Sequence, residues 1–232
     1  MRLFLSSGEL ALPIGMDKVA TLEILHRPLF AQVVQEFVGA IEQDEQPSEF
    51  RLVAEGGGEV PFSRFLYIAD FLTFDAGARK ITSRLHKSLM KEFILDEELR
   101  ARSQQTFAQM RDALSEQLMR FESRVSFESE FSLEKYLRMI DFKITLDESD
   151  AIASRITGIV DLVTDLQIWD TILFINLKGF LTEKEFYNFV EYCLYQKVSI
   201  LIIESSKSEW LHEGECKLVV DEERFDYMSC TG

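Results

Sequence analysis

Apolar positions along this chain keep two different periods, and the switch between them marks its parts. Near the start, Arg2–Leu5, Leu10–Ile14 and Thr21–Leu25 read as short strands, the first two joined near Gly8. His26-Arg27-Pro28 then opens a helix, with Pro28 tolerated in its first turn, and Phe30, Val33, Val34, Phe37 and Ile41 step at helical spacing. From Gln43 to Pro61 the chain turns polar, with Gly56-Gly57-Gly58 between two glutamates. That stretch predicts a mobile loop flanking a short strand at Phe50–Val53. Phe65–Ala69, Thr171–Leu177 and Val198–Ile203 are unbroken apolar runs of the kind that form parallel strands covered on both faces. Between the last two, Thr182 and Glu185 form a capping box ahead of Phe186, Phe189, Val190, Cys193 and Leu194. Strand, helix, strand in that order predicts a right-handed βαβ unit.

The middle of the chain has only the helical period. Ile81, Leu85, Leu89 and Phe93 make one apolar stripe. Asp96 is placed to cap the next helix, where Glu97 and Glu98 suit the positive end. Phe107, Met110, Leu114, Leu118, Phe121 and Val125 then form a long seam. A helix from Glu97 to Arg124 would run roughly 40 Å. Two such helices predict an antiparallel hairpin. A short helix (Phe131–Ile140), a strand (Phe142–Leu146) and a helix from Ser149 to Leu166 lead back to the βαβ unit. The expected architecture is therefore α/β. A mostly parallel sheet head is assembled from residues 1–76 and 142–232, and an α-helical leg (77–141) is inserted in it.

Charge sharpens this division. The chain carries net charge -15, yet the segment Gly77–Val125 holds ten Lys/Arg against seven Asp/Glu. Lys80, Arg84, Lys87 and Lys91 stand four, three and four residues apart with Arg79 beside them, and no acid falls between Arg79 and Lys91. That spacing is one face of a helix. A cationic face on an anionic molecule holds a polyanion locally while the remaining surface repels it. The plainer reading is a solvated outer face whose long side chains cover apolar neighbours. General nucleic-acid coating is excluded by the net acidity.

Other chemistry finds little support. No GxxxxGK followed by Ser or Thr occurs, and the connector after Thr21–Leu25 is His-Arg-Pro without glycine, so the backbone cannot wrap phosphates. Asp70, at the end of an apolar run, resembles the acidic magnesium residue of nucleotide hydrolases, but a turn-forming role is the commoner one. His26, His86 and His212 are isolated, and no GxSxG is present. His212-Glu213-Gly214-Glu215-Cys216 matches no zinc spacing and reads as a polar turn. Glu122, Glu128 and Glu130 cluster where the long helix ends. They could hold Ca²⁺ through oxygen ligands, or form a solvated acidic turn. Cys193, Cys216 and Cys230 form no CxxC pair and read as free thiols in a reducing cytoplasm. No run is apolar enough for a transmembrane helix, and no secretory signal pattern opens the chain.

Three segments carry a resemblance: TLEILHRPLFAQVVQEF (Thr21–Phe37), FLYIADFLTFDAGARKITSRLHKSL (Phe65–Leu89), and ILFINLKGFLTEKEF (Ile172–Phe186) with VSILIIES (Val198–Ser205). Their most specific parts are Thr73-Phe74-Asp75 before the basic helix and the LxGFLTxxE stretch from Leu177 to Glu185. In this order they resemble the short form of the CRISPR-associated, subtype II-A spacer-acquisition protein, a ring-forming binder of DNA ends. The resemblance implies a head like a degenerate P-loop ATPase and no enzymatic activity. It also implies a homotetrameric ring threaded by double-stranded DNA, and association with the integrase complex and effector nuclease of the same operon. Ca²⁺ near the junction of head and leg is implied too, although Ser126 and Ser129 stand here where relatives are more acidic. On this basis Arg79, Lys80, Arg84, Lys87 and Lys91 are the expected phosphate contacts. Rings suit the physics, because closing several weak stripes around one duplex multiplies contacts. The rivals are a nucleotide-driven ATPase and a protein-interaction scaffold that does not bind DNA.

Overall fold

A computed structural model of the chain describes residues 1–6, 8–68, 70–118, 130–140, 144 and 151–231, with Lys80 described by its backbone alone. The chain divides into two compact units, one joining Met1–Phe74 to Leu146–Gly232 and the other comprising Asp75–Thr145.

The first unit is built on two sheets. β1 (Arg2–Leu5) lies between β2 (Ala11–Pro13) and β4 (Phe50–Val53), antiparallel to both. The larger sheet has the order β5-β6-β7-β3-β8-β9. Its strands are β3 (Val19–Ile24), β5 (Phe65–Ile68), β6 (Thr171–Ile175), β7 (Ser199–Glu204), β8 (Glu215–Val220) and β9 (Asp226–Cys230). Five are mutually parallel, and β9 alone pairs antiparallel, at the edge beside β8. The sheet is thus mixed and mostly parallel. The fold shows no more than this α/β class; kinship with P-loop ATPases is not part of it.

Strand parity decides what each face of the large sheet meets. Ala20, Leu22, Ile24, Leu201, Ile203, Leu218 and Val220 share one core with Leu29, Val33 and Phe37 of α1 (Arg27–Gln43) and with Leu3, Leu5, Leu12, Phe50 and Leu52 of the small sheet. Phe37 stacks on Phe50 with ring centroids 3.9 Å apart. The alternate residues, among them Ile172, Phe174, Ile200 and Ile202, are also fully buried. Phe174 meets Phe189 of α6 (Glu183–Gln196) at 5.9 Å. α6 and α5 (Ile152–Leu166) also contribute the buried residues Ile156, Ile159, Val160, Phe186 and Val190. Each such side chain contributes roughly 1.5–3 kcal/mol of burial.

The capping box at α6 is complete: Thr182 Oγ1 accepts from Glu185 N at 3.3 Å, and Glu185 Oε2 accepts from Thr182 N at 2.8 Å. The Thr182 hydroxyl also donates to Glu185 Oε2 at 2.7 Å, and that bond, with the one from Thr182 N, lowers the Glu185 pKa.

The second unit holds α2 (Arg79–Leu95), α3 (Glu97–Leu118) and α4 (Leu133–Met139). Phe131 joins the three, with its ring 5.8 Å from Phe93 of α2, 6.0 Å from Phe107 of α3 and 5.9 Å from Tyr136 of α4. Among the described residues the apolar seam expected on α3 is not a buried one. No residue of α3 is buried, and Met110 and Leu114 are more than half exposed. Phe121 and Val125 lie outside the described residues. The strand expected at Phe142–Leu146 falls there too, except for Ile144.

Two expectations are corrected. The stretch His212–Cys216 is a turn only at Glu213-Gly214, where Gly214 takes φ +82°; Glu215 and Cys216 open β8 and are fully buried. The free-thiol reading fails for Cys216 and Cys230. Antiparallel register sets them opposite each other on β8 and β9, and they form a disulfide. Cys193 alone is free, buried in α6. No helix among the described residues is long and apolar enough to cross a membrane.

Candidate nucleic-acid interface

A chain of small turns delivers the basic helix. At the end of β5, Asp70 accepts from Leu72 N (2.9 Å), Thr73 N (3.1 Å) and Thr73 Oγ1 (2.6 Å). These hydrogen bonds, led by that from the Thr73 hydroxyl, hold the Asp70 carboxyl below the usual carboxylate range. Both its oxygens are used in forming the turn. Asp75 repeats the device: its Oδ1 accepts from Gly77 N at 2.8 Å, and its carbonyl accepts from Ala78 N at 3.1 Å. α2 begins one residue later.

The first turn of α2 carries Arg79 and Lys80 and no acid, and its last turn has no cation. A helix dipole favours the opposite arrangement. These cations therefore do not stabilise their own helix, and they add to the positive field of its N-terminus. Arg79, Lys87 and Lys91 are exposed and Arg84 is half-buried. Neither Lys87 nor Lys91 meets a carboxylate among the described residues, whereas other arginines of this unit do. Arg100 lies 3.7 Å from Glu97, and Arg138 2.6 Å from Glu134.

Lys87 and Lys91 line a groove of about 560 Å³ with Ser83, His86, Met90 and Ile94 of α2 and with Glu134 and Arg138 of α4. Arg79 and Arg84 are not among its lining residues. The expected stripe is one helix face by position, and part of it borders a groove that is also lined by the apolar Met90, Ile94 and Leu95. Sequence spacing could not find Arg138, because it comes from a separate helix.

Of the expected metal ligands, Glu122 and Glu128 lie outside the described residues. Glu130 is exposed and borders a second groove, with Arg102, Phe107 and Tyr136. Among the described residues no three acids, histidines or cysteines converge as metal ligands.

The first unit holds a cluster that spacing did not reveal. Glu23, Glu204, Glu215 and Lys217 project from the α6-facing side of β3, β7 and β8, and Lys178 reaches them from the turn Lys178–Phe180. Lys217 Nζ lies 3.0 Å from Glu23 Oε1 and donates to Ser208 Oγ at 2.7 Å. Lys178 Nζ lies 4.7 Å from the centre of the Phe186 ring. Burial pulls the Lys178 pKa down and pushes Glu204 up to about 7. All five residues are nearly sealed from solvent, so they brace the fold and do not form an accessible site. At the β3–α1 connection, where a nucleotide loop would sit, His26 Nδ1 accepts from Leu29 N at 3.2 Å as a helix cap.

These features define a class: an α/β unit with a mixed, mostly parallel sheet, interrupted in sequence by a helical unit whose first helix presents acid-free cations. The model of the CRISPR-associated protein family (Cas_Csn2) matches residues 43–224, and the chain belongs to that family, which acts in CRISPR adaptation. The fold is similar to the crystal structure of Stu0660 of Streptococcus thermophilus, with TM-score 0.59 and 9% sequence identity, over 95% of this chain and 75% of that one. No curated protein matches the chain.

Proposed function

We propose that this protein holds double-stranded DNA ends by their phosphate backbone during CRISPR spacer acquisition. It does so as a homotetrameric ring without catalytic activity, lined by Arg79, Lys80, Arg84, Lys87 and Lys91. The observation that carries this reading is the face of α2, where exposed cations stand without an acid between them and against the dipole preference of their own helix. Contacts to phosphates position a duplex without reading its bases, so sequence preference is slight. The acidic remainder of the molecule discourages binding elsewhere. Ca²⁺ held by Glu122, Glu128 and Glu130 belongs to the same proposal, as does docking to the integrase complex and effector nuclease of the operon. The bonds that Asp70 makes within its own turn speak against the ATPase alternative.

Gel shifts with linear and covalently closed duplexes, read alongside particle mass in solution, test the proposal. Linear DNA should bind and closed DNA should bind far more weakly. Reversing charge at Lys80, Arg84 and Lys87 should abolish binding with the oligomer intact. Equal affinity for the two DNA forms, or unchanged affinity in the reversed protein, would refute it.

A further inference from the structure

α4 contributes a third cation to the groove that Lys87 and Lys91 line. Unlike those two, Arg138 is engaged: its Nη2 donates to Oε1 of Glu134, one helical turn earlier, at 2.6 Å. Both side chains remain largely in solvent, 72% and 56% exposed. An exposed pair at this spacing is weakly held and easily displaced. A carboxylate and a phosphodiester offer a guanidinium the same acceptor geometry, two oxygens that match its planar fork. Across the groove, Lys87 and Lys91 have no carboxylate partner among the described residues.

We propose that Arg138 is a further phosphate-contacting residue of this groove and that Glu134 is its built-in competitor, occupying the guanidinium until a DNA phosphate takes its place. This rests on the DNA-binding reading above and deepens it. Glu134 lowers affinity in two ways: it withholds Arg138, and its charge stands beside the incoming phosphate. The result is a grip weaker than the cation count implies, which suits a protein that must release its duplex to the next step. The contacts proposed are to phosphate, and the other lining residues Met90, Ile94 and Leu95 are apolar, so the effect is independent of sequence.

Fluorescence anisotropy of a labelled linear duplex, titrated with the full chain at several salt concentrations, tests this. Glu134→Gln should tighten binding by roughly three- to tenfold at low salt, the effect of removing one charge beside a phosphate. Arg138→Gln should weaken it by roughly tenfold and reduce the log–log salt slope by about 0.9 for each subunit in contact. Arg138→Lys, which keeps the charge, should keep the slope. In an Arg138→Gln background the gain from Glu134→Gln should shrink. A merely structural role for the pair would shift the melting temperature without moving the slope. If Glu134→Gln and Arg138→Gln both bind like the parent while Lys87→Glu/Lys91→Glu loses binding, the inference is overturned and the DNA-binding reading stands. If the parent protein itself fails to bind duplex at low salt, both are overturned.

Discussion

The ammonium of Lys178 lies 2.6 Å from Oε1 of Glu215, and neither group reaches solvent to any extent. Lys178 sits in the short turn after β6, and Glu215 opens β8, so the pair bolts that turn to the sheet. Thr21 Oγ1 donates to the same carboxylate oxygen at 2.6 Å. The Lys178 backbone N donates to Glu204 at 2.8 Å. One residue of the LxGFLTxxE stretch thus holds two buried acids, Glu204 through its backbone N–H and Glu215 through its ammonium, and the second contact gives a physical reason for a lysine there.

Removing one member of this pair should be costly. Lys178→Met leaves Glu215 and Glu23 buried with less compensation, and breaking such a pair costs about 3–5 kcal/mol. Urea unfolding followed by tryptophan fluorescence should show the unfolding free energy fall by that amount, with a correspondingly lower midpoint. Lys184→Met, on the exposed side of α6, should stay within about 0.5 kcal/mol of the parent. A parent-like midpoint for Lys178→Met would show that the cluster relaxes or hydrates freely.

Phe131 ties α2, α3 and α4 by ring contacts at 5.8, 6.0 and 5.9 Å. Phe131→Ala should destabilise the helical unit by about 1–3 kcal/mol, less than a fully buried Phe because this ring is half-exposed. Hydrogen exchange should rise across α2–α4 and remain low in β3, β6 and β7. Uniform loss of protection in both units would contradict this assignment.

Much of the α/β unit was legible because its signals are local. The Thr182–Glu185 box, the apolar runs of β6 and β7 and the inward face of α6 each need only a few neighbouring residues. β8 was missed because Glu215 and Lys217 interrupt its apolar pattern. Their partners Thr21, Glu23 and Lys178 are distant in sequence, the Thr21–Glu215 bond spanning 194 residues. β9 was missed because four of its five residues are exposed, so burial left no period in it. The α2 stripe was visible, as any one-helix pattern is. Arg138 was not, because only folding brings α4 beside α2.

The thiols offer a direct check on the β8–β9 register. Without reductant, the native protein should show no thiol reactive to a polar disulfide reagent, because Cys216 and Cys230 are joined and Cys193 is buried. Burial also pushes the Cys193 thiol pKa up, which suppresses the reactive thiolate. Denaturation should release one thiol, and reduction before denaturation three. Three thiols on denaturation alone would show the pair reduced in the isolated protein.

Glu204 should give the fold a pH dependence of definite sign. Desolvation raises its pKa from 4.5 to about 7, against the opposing pull of the Lys178 backbone N–H and charge. Between those values the folded protein keeps a proton that the unfolded chain has lost. Stability from this group is therefore complete below pH 4.5 and declines as pH rises to about 7, where it levels off. The loss should be on the order of 3 to 3.5 kcal/mol, since each pKa unit corresponds to about 1.4 kcal/mol. Glu204→Gln keeps an acceptor for the Lys178 N–H and cannot ionise. It should flatten this part of the curve, leaving a variant more stable than the parent at pH 8 and close to it at pH 5. Urea midpoints for both proteins across pH 5 to 8 measure the difference. Parallel curves would mean that Glu204 is ionised throughout and that Lys178 neutralises it in full.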